Sequence, residues 1–360
     1  MKVNSLKLLN FRNYSELLVN FEGGINLLYG RNASGKTNVV EAISLLSLGK
    51  SFRTNEDEYL IKQGEEVAYV GIDFFKRENR KLELAISKKG KTITYNSNKL
   101  ERLSELSGIL ISLTFIPEDV LLFKDSPSVR RKFLDISLMA LYRRYIKELV
   151  EYKNTLKQRN ALLKLNEVDL TLLHVFNEKM IQNEYIISKY RNELIQKLEK
   201  RTNGLFNLIN EKQNKVEIKY QTDMTLGLEF EEFKKKALEL YKTNEEFDLR
   251  RRVTNVGIHK DDFVVYLNGK EVGEFASQGQ NRLLALSLKL AYGELVKELT
   301  NDDPVIILDD VLSELDRVHQ DKLLEVLRRY EQVFITSAKE EDIEQITKYQ
   351  VLDGMVIRRN

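Results

Sequence analysis

The octet Gly30-Arg31-Asn32-Ala33-Ser34-Gly35-Lys36-Thr37 follows the apolar run Ile25-Asn26-Leu27-Leu28-Tyr29. It precedes helical apolar spacing at Val39, Val40, Ala42, Ile43 and Leu46. Strand, glycine loop and helix in that order commit the chain to an α/β layer with the loop at a strand's carboxyl end. Gly30 and Gly35 let backbone amides turn inward with no Cβ in the way, which makes a cradle for phosphate oxygens. The helix behind the loop offers its unpaired N-terminal amides and positive dipole end to the same anion. Lys36 would add a point charge near the β- and γ-phosphates, and Thr37 a hydroxyl for Mg²⁺.

Far along the chain, Val305-Ile306-Ile307-Leu308 reads as a buried strand ending in Asp309-Asp310. Alone, such an ending is a turn or a helix cap. Beside a phosphate cradle, Asp309 would bind Mg²⁺ directly or through water, and Asp310 would orient or deprotonate an attacking water. Thr336 or Ser337, closing the next apolar strand, would lie next to these acids in a parallel sheet and hydrogen-bond a γ-phosphate. Ser277-Gln278-Gly279-Gln280 opens a helix that runs to about Leu299; on its residues alone it is a helix cap.

The chain has 360 residues, enough for two or three domains. A net charge of only +2 means that affinity for polyanions must come from local patches. The absence of cysteine excludes disulfides, thiolate metal sites and cysteine nucleophiles. Met1 to Leu6 begins a strand pattern rather than a signal peptide, and no apolar run nears the roughly 20 residues of a membrane span. A soluble, cytoplasmic protein is expected.

Val3 to Leu9 and Ile25 to Tyr29 read as strands separated by a loop, and 67–95 as antiparallel strands. From Val129 to about Lys200 the chain is helical in period and nearly free of glycine. Phe263 to Val272 is a hairpin turning at Asn268-Gly269. Expected boundaries are an ATPase lobe at 1–112, a helical lobe at 113–248, and the rest of the ATPase lobe at 249–360.

These motifs together resemble the ATP-binding-cassette ATPases of the SMC and recombination-repair group, most closely the RecF family. Further segments carry the likeness: Leu9-Asn10-Phe11-Arg12-Asn13-Tyr14, Gly49-Lys50-Ser51-Phe52-Arg53-Thr54, Pro117-Glu118-Asp119 and Arg130-Arg131-Lys132-Phe133-Leu134-Asp135. So do Lys157 to Leu163, Gly257-Ile258-His259-Lys260-Asp261-Asp262 and Asp309 to Asp316. The family usually has Pro and Arg where Ile258 and Lys260 stand. The resemblance implies an α/β, SMC-like P-loop ATPase head with a mixed sheet and an inserted, mainly helical lobe. It further implies ATP and Mg²⁺ held by residues 30–38, so that Asn38 joins the octet, with Arg12 and Asn13 beside the adenine.

Ser277, Gln278, Gly279 and Gln280 match the cassette signature, which contacts the γ-phosphate of ATP held by another subunit. Ser313 to Asp316 match the segment that crosses the interface, so an ATP-dependent homodimer is implied. The glutamine that couples the lobes is not evident; Glu118, Asp119 or Gln63 would take its place. The family's role implies duplex DNA or single-to-double-strand junctions as substrate, with slow ATP hydrolysis as a timer. It also implies mediators resembling RecO and RecR, and loading of the recombinase RecA. Backbone contacts would come from Arg130-Arg131-Lys132, Arg143-Arg144, Lys234-Lys235-Lys236 or Arg250-Arg251-Arg252. Alternatives are another SMC-like genome-maintenance ATPase, disfavoured by the short helical insertion, and the nucleotide subunit of a membrane transporter.

Overall fold

The computed structural model describes residues 1–211 and 213–359, apart from the side chain of Ser104. Packing divides the chain into two compact units. The first comprises Met1–Asp119, Leu205–Lys212 and Lys289–Asn360, and the second Val120–Gly204 and Gln213–Leu288. Residues 249–288, expected with the ATPase lobe, thus pack with the second unit.

The first unit opens with β1 (Lys2–Phe11), β2 (Tyr14–Asn20) and β3 (Gly24–Tyr29), then α1 (Lys36–Leu48). β4 (Val67–Lys76), β5 (Glu78–Ser87), β6 (Gly90–Tyr95), β7 (Asn98–Leu100) and β8 (Ser112–Phe115) follow. β2 occupies residues that read as loop. Tyr14, Leu17 and Val19 are buried and pair it with β1, while Leu18 between them is 68% exposed and blurs the alternation.

Next come α2 (Pro127–Leu141), α3 (Arg143–Leu162), α4 (Leu170–Asn210), β9 (Val216–Gln221) and α5 (Phe230–Arg251). β10 (Asp262–Leu267), β11 (Lys270–Glu271) and the one-turn α6 (Val272–Phe275) lead to α7 (Gln278–Thr300). The chain closes with β12 (Val305–Asp309), α8 (Arg317–Leu327), β13 (Gln332–Ser337), β14 (Thr347–Leu352) and β15 (Met355–Arg359).

Two six-stranded sheets form the first unit, one antiparallel in the order β2-β1-β4-β5-β6-β7. The other, β15-β14-β3-β13-β12-β8, is parallel except for β15. α1 packs against β8, β12 and β13 of this sheet and against β4 and β5 of the first. Covered on both sides, it has no exposed residue: Val39, Val40, Ala42, Ile43, Leu45 and Leu46 are all buried. Each Val, Ile or Leu among them contributes about 1.5–3 kcal/mol on leaving water. The parallel register sets Asp309 beside Thr336, and Thr336 beside Leu28, so the carboxyl ends of β12, β13 and β3 meet where the glycine loop begins.

The second unit is built on α2 to α5 around the three-stranded sheet β11-β10-β9. β10 pairs with β9 from Asp262↔Gln221 to Leu267↔Val216, which is why residues after 248 stay in this unit. Its interior is polar as well as apolar. Arg159 and Asp248, both fully buried, pair at 2.8 Å, and Arg191 pairs with Asp135 and Asp261 at 2.8 and 3.0 Å. Removing one member of such a pair strands a buried charge, at a cost of about 3–5 kcal/mol.

Candidate phosphate-binding site

The loop of residues 30–35 turns off β3 and ends where α1 begins. A Cβ on Gly30 would lie 2.3 Å from the Val351 carbonyl oxygen. At Gly35 (φ +110°) it would meet the Tyr14 hydroxyl at 2.6 Å. Both glycines are therefore required by close approach. Tyr14 donates to the Gly35 carbonyl at 3.2 Å, and burial pushes its phenol well above the usual range.

Lys36 Nζ donates to the Gly30 and Arg31 carbonyls at 2.8 and 2.9 Å, curling over the loop. Burial lowers its proton affinity, and Asp310 and Asp309 counter that shift. Ser34 Oγ is buried with no hydrogen-bond partner. Arg31, Asn32 and Ala33 are exposed.

Thr37 donates to Asp309 Oδ1 at 2.9 Å, and Thr336 donates to the same oxygen at 2.7 Å. Asp309 is 7% exposed, and burial raises its proton affinity against the pull of those two hydroxyls. Thr336, expected to face a phosphate, has its hydroxyl committed on both sides. It donates to Asp309 and accepts the Asp310 amide at 2.9 Å. Ser337, the other choice, donates to Glu341. Asp310 is exposed with φ +54°, and Ser313 Oγ donates to its carbonyl and to Oδ1 at 3.0 and 3.2 Å.

Asn13 lies on the loop: its amide donates to the Ser34 carbonyl at 3.5 Å, and its Oδ1 accepts from Asn38 at 2.7 Å. Arg12 is instead tied down. Its guanidinium grips Glu41 at 2.6 and 3.0 Å and donates to the Tyr59 carbonyl. Glu41, fully buried on α1, also accepts from Ser51 at 2.6 Å and from Arg53 at 3.4 Å, while Arg53 reaches Asn38 at 2.8 Å. The sequence reading gave Glu41, Ser51 and Arg53 no role at the site. A lone acid inside the apolar run Val39-Val40-Glu41-Ala42-Ile43 was the available signal, since a buried carboxylate must be paired.

In the second unit, Ser277 Oγ accepts the Gln280 amide at 3.2 Å while Gln280 Oε1 accepts the Ser277 amide at 3.0 Å. This reciprocal capping box opens α7, and Ser277 to Gln280 are all exposed. Of the segments expected to couple the lobes, Asp119 is committed to Lys289 and to the Ile116 amide.

The four cationic clusters all lie in the second unit. The first is largely structural: Arg130 forks onto Asp262 at 2.7 Å, and Arg131 donates to the Asp261 carbonyl at 2.7 Å, which leaves Lys132 exposed. Arg143, Arg144, Lys235, Lys236 and Arg250 to Arg252 are exposed. Among the described residues no helix is long and apolar enough to cross a membrane.

The model of the family described as "RecF/RecN/SMC N terminal domain" matches residues 2–359. The DNA replication and repair protein RecF of Clostridium kluyveri is 38% identical over 349 residues, covering 95% of this chain and 94% of that one. The chain belongs to the RecF family. RecF of Clostridioides difficile is 37% identical over 99% of this chain and 98% of its own. A solved structure of the recombination mediator protein RecF with ATP, in the RecFOR pathway, superposes with a TM-score of 0.91 at 34% identity, covering 100% of this chain and 98% of that one. A Pyrococcus furiosus Smc head matches over 99% of this chain and 96% of its own at TM-score 0.57 and 14% identity, a likeness of fold. The likeness to RecF proteins thus holds in both sequence and fold.

Proposed function

We propose that this protein binds ATP in recombinational DNA repair and uses it to join two copies of itself around DNA near a gap. The observation that carries the reading is the convergence of the Thr37 and Thr336 hydroxyls on one Asp309 carboxylate oxygen behind the glycine loop. Loop amides and Lys36 would hold the β- and γ-phosphates, exchanging the two carbonyls that Lys36 grips for phosphate oxygens. The unpartnered Ser34 Oγ fits an anion there, and the two glycines let the loop pack closely enough to turn its amides inward. Asn13 and Asn38 would flank the nucleotide.

Thr37 and Asp309 form a pair of hard oxygen donors suited to Mg²⁺, which prefers few protein ligands plus phosphate oxygens. Bound Mg²⁺ would offset phosphate charge. Asp310 would accept the proton of an attacking water, its carboxylate oriented by Ser313. Thr336 would act on Asp309 and on the Asp310 amide rather than on the phosphate. Ser277, with the backbone amides of Gln278 and Gly279 at the start of α7, would complete the γ-phosphate contacts of a second copy, in a two-fold arrangement.

Slow hydrolysis, stimulated by DNA, would release the pair. Exposed cations of the second unit would contact the DNA backbone, and proteins resembling RecO and RecR would help load a RecA-type recombinase. Sedimentation with and without Mg·ATP and a gapped duplex tests this reading. ATP-dependent dimers retained on DNA are expected, and a constant single-copy mass under saturating ATP and DNA would refute it.

A further inference from the structure

Arg130 looked, from its neighbours Arg131 and Lys132, like a DNA contact. It is instead a buried five-bond clamp within the second unit. Its Nε and Nη2 fork onto Asp262 at 2.7 Å each. Its Nη1 donates to the carbonyls of Leu122, Phe123 and Asp125 at 3.2, 3.4 and 2.7 Å.

Both ends of this clamp lead to Ser277. Asp262 is the first residue of β10, which turns back through Tyr266↔Glu271 and Leu267↔Lys270 into α6, and α6 packs on β10. The backbone of α6 also rests on the other end, because a Cβ on Gly273 would lie 2.5 Å from the Phe123 carbonyl oxygen. From α6 the Ala276 amide reaches back to the Val272 carbonyl at 3.2 Å, and Ser277 follows. The Asn281 side chain then donates to the Ala276 and Ser277 carbonyls at 3.1 Å each. One guanidinium therefore fixes the strand from which this turn springs and the carbonyl on which it sits.

We propose that Arg130 is a positioning residue for Ser277, setting where the start of α7 stands when it meets the nucleotide of a second copy. The proposal rests on the trans contact of Ser277 described above. Lysine cannot replace the fork, since an ammonium is a point charge and cannot bond Asp262 bidentately while holding the carbonyls.

The test compares R130K, G273A and S277R with the wild type, measuring melting, single-copy ATP affinity, and ATP turnover against protein concentration. R130K keeps the charge opposite Asp262. It should bind ATP as a monomer normally but need about a hundredfold more protein for half-maximal turnover, the scale of a misplaced contact. Maximal turnover should return at high protein concentration, which a loss of folded protein would not allow. G273A, which displaces α6 from the Phe123 carbonyl without touching Arg130, should show the same shift and keeps the test decisive if R130K melts early. Normal pairing in R130K or in G273A, with S277R blocked, overturns the proposal. Normal pairing in S277R as well overturns the trans contact itself. If R130K pairs normally but holds DNA more weakly, Arg130 is a DNA contact and the proposal fails.

Discussion

Thr37 and Asp309 stand 2.9 Å apart, hydroxyl to carboxylate, although 272 positions separate them in the chain. Thr336 reaches the same carboxylate oxygen from the neighbouring strand. An asparagine at position 309 can still accept both hydroxyl bonds, so Asp309→Asn should fold normally while losing its charge. We expect Mg²⁺ to raise ATP affinity in the wild type and to lose most of that effect, about tenfold or more, in the variant. Calorimetric titration with ATP in the presence and absence of Mg²⁺ checks it; an undiminished Mg²⁺ effect would remove Asp309 from the metal site.

Lys36 is held over the loop by two carbonyls, which any amine of that reach would find, so its removal costs the fold little. Lys36→Ala should weaken ATP binding by about 1.5–3 kcal/mol, the worth of a charge-assisted bond, and pairing and DNA retention with it. Unchanged affinity in fluorescence titration would refute the assigned contact.

The Asp310 side chain is exposed, and its carboxylate accepts from Ser313. Asp310→Asn should therefore bind ATP and pair as the wild type does while single-turnover hydrolysis slows by about 10²–10⁴-fold, the range of a lost general base. Hydrolysis at the wild-type rate in a quench experiment would exclude that role.

Gly35 combines φ +110° with a Tyr14 hydroxyl where its Cβ would go. Gly35→Ala should distort the loop, abolish detectable ATP binding and destabilise the first unit by roughly 1–3 kcal/mol. Denaturant titration alongside ATP binding reads both; a variant that binds ATP normally would show that the loop tolerates the Cβ.

Glu184 is fully buried in the second unit, accepts the Tyr241 hydroxyl at 2.7 Å, and is pushed up to about 8, chiefly by burial. The folded state therefore binds a proton that the unfolded chain has released, and stability falls as pH rises from the unfolded carboxylate range toward 8. His259 behaves oppositely: burial lowers it to about 4, so stability rises with pH between about 4 and 6.5. The two offset each other where their windows overlap, which leaves a net fall of about 2 kcal/mol between roughly pH 6.5 and 8. Glu184→Gln, which mimics the protonated acid, should flatten that fall in urea titrations. An identical slope in the variant would assign the effect elsewhere.

The glycine loop was legible because its geometry is local. Two glycines, a preceding apolar strand and a following helix lie within a few residues of one another, and no distant partner is needed to place Lys36 above the loop. The paired acids were legible for a similar reason, as the end of an apolar run. Thr336 was placed beside them, but its bonds to Asp309 and to the Asp310 amide were not read, because strand order fixes a position and not the direction of a hydroxyl. β2 was lost to one exposed leucine, α5 was read only as part of a helical lobe, and β14, β15 and β9 were not read at all.

Charge was the poorest guide. Arg130 and Lys132 look alike in a basic run, yet one is buried against Asp262 and the other is exposed. Composition and spacing determined which residues make up the candidate phosphate cradle, since its glycines, lysine and threonine are adjacent in the chain. Only the tertiary structure decided which carboxylate each arginine meets, because ion pairing in a low-dielectric interior follows the strands and helices that happen to adjoin, not the order of residues.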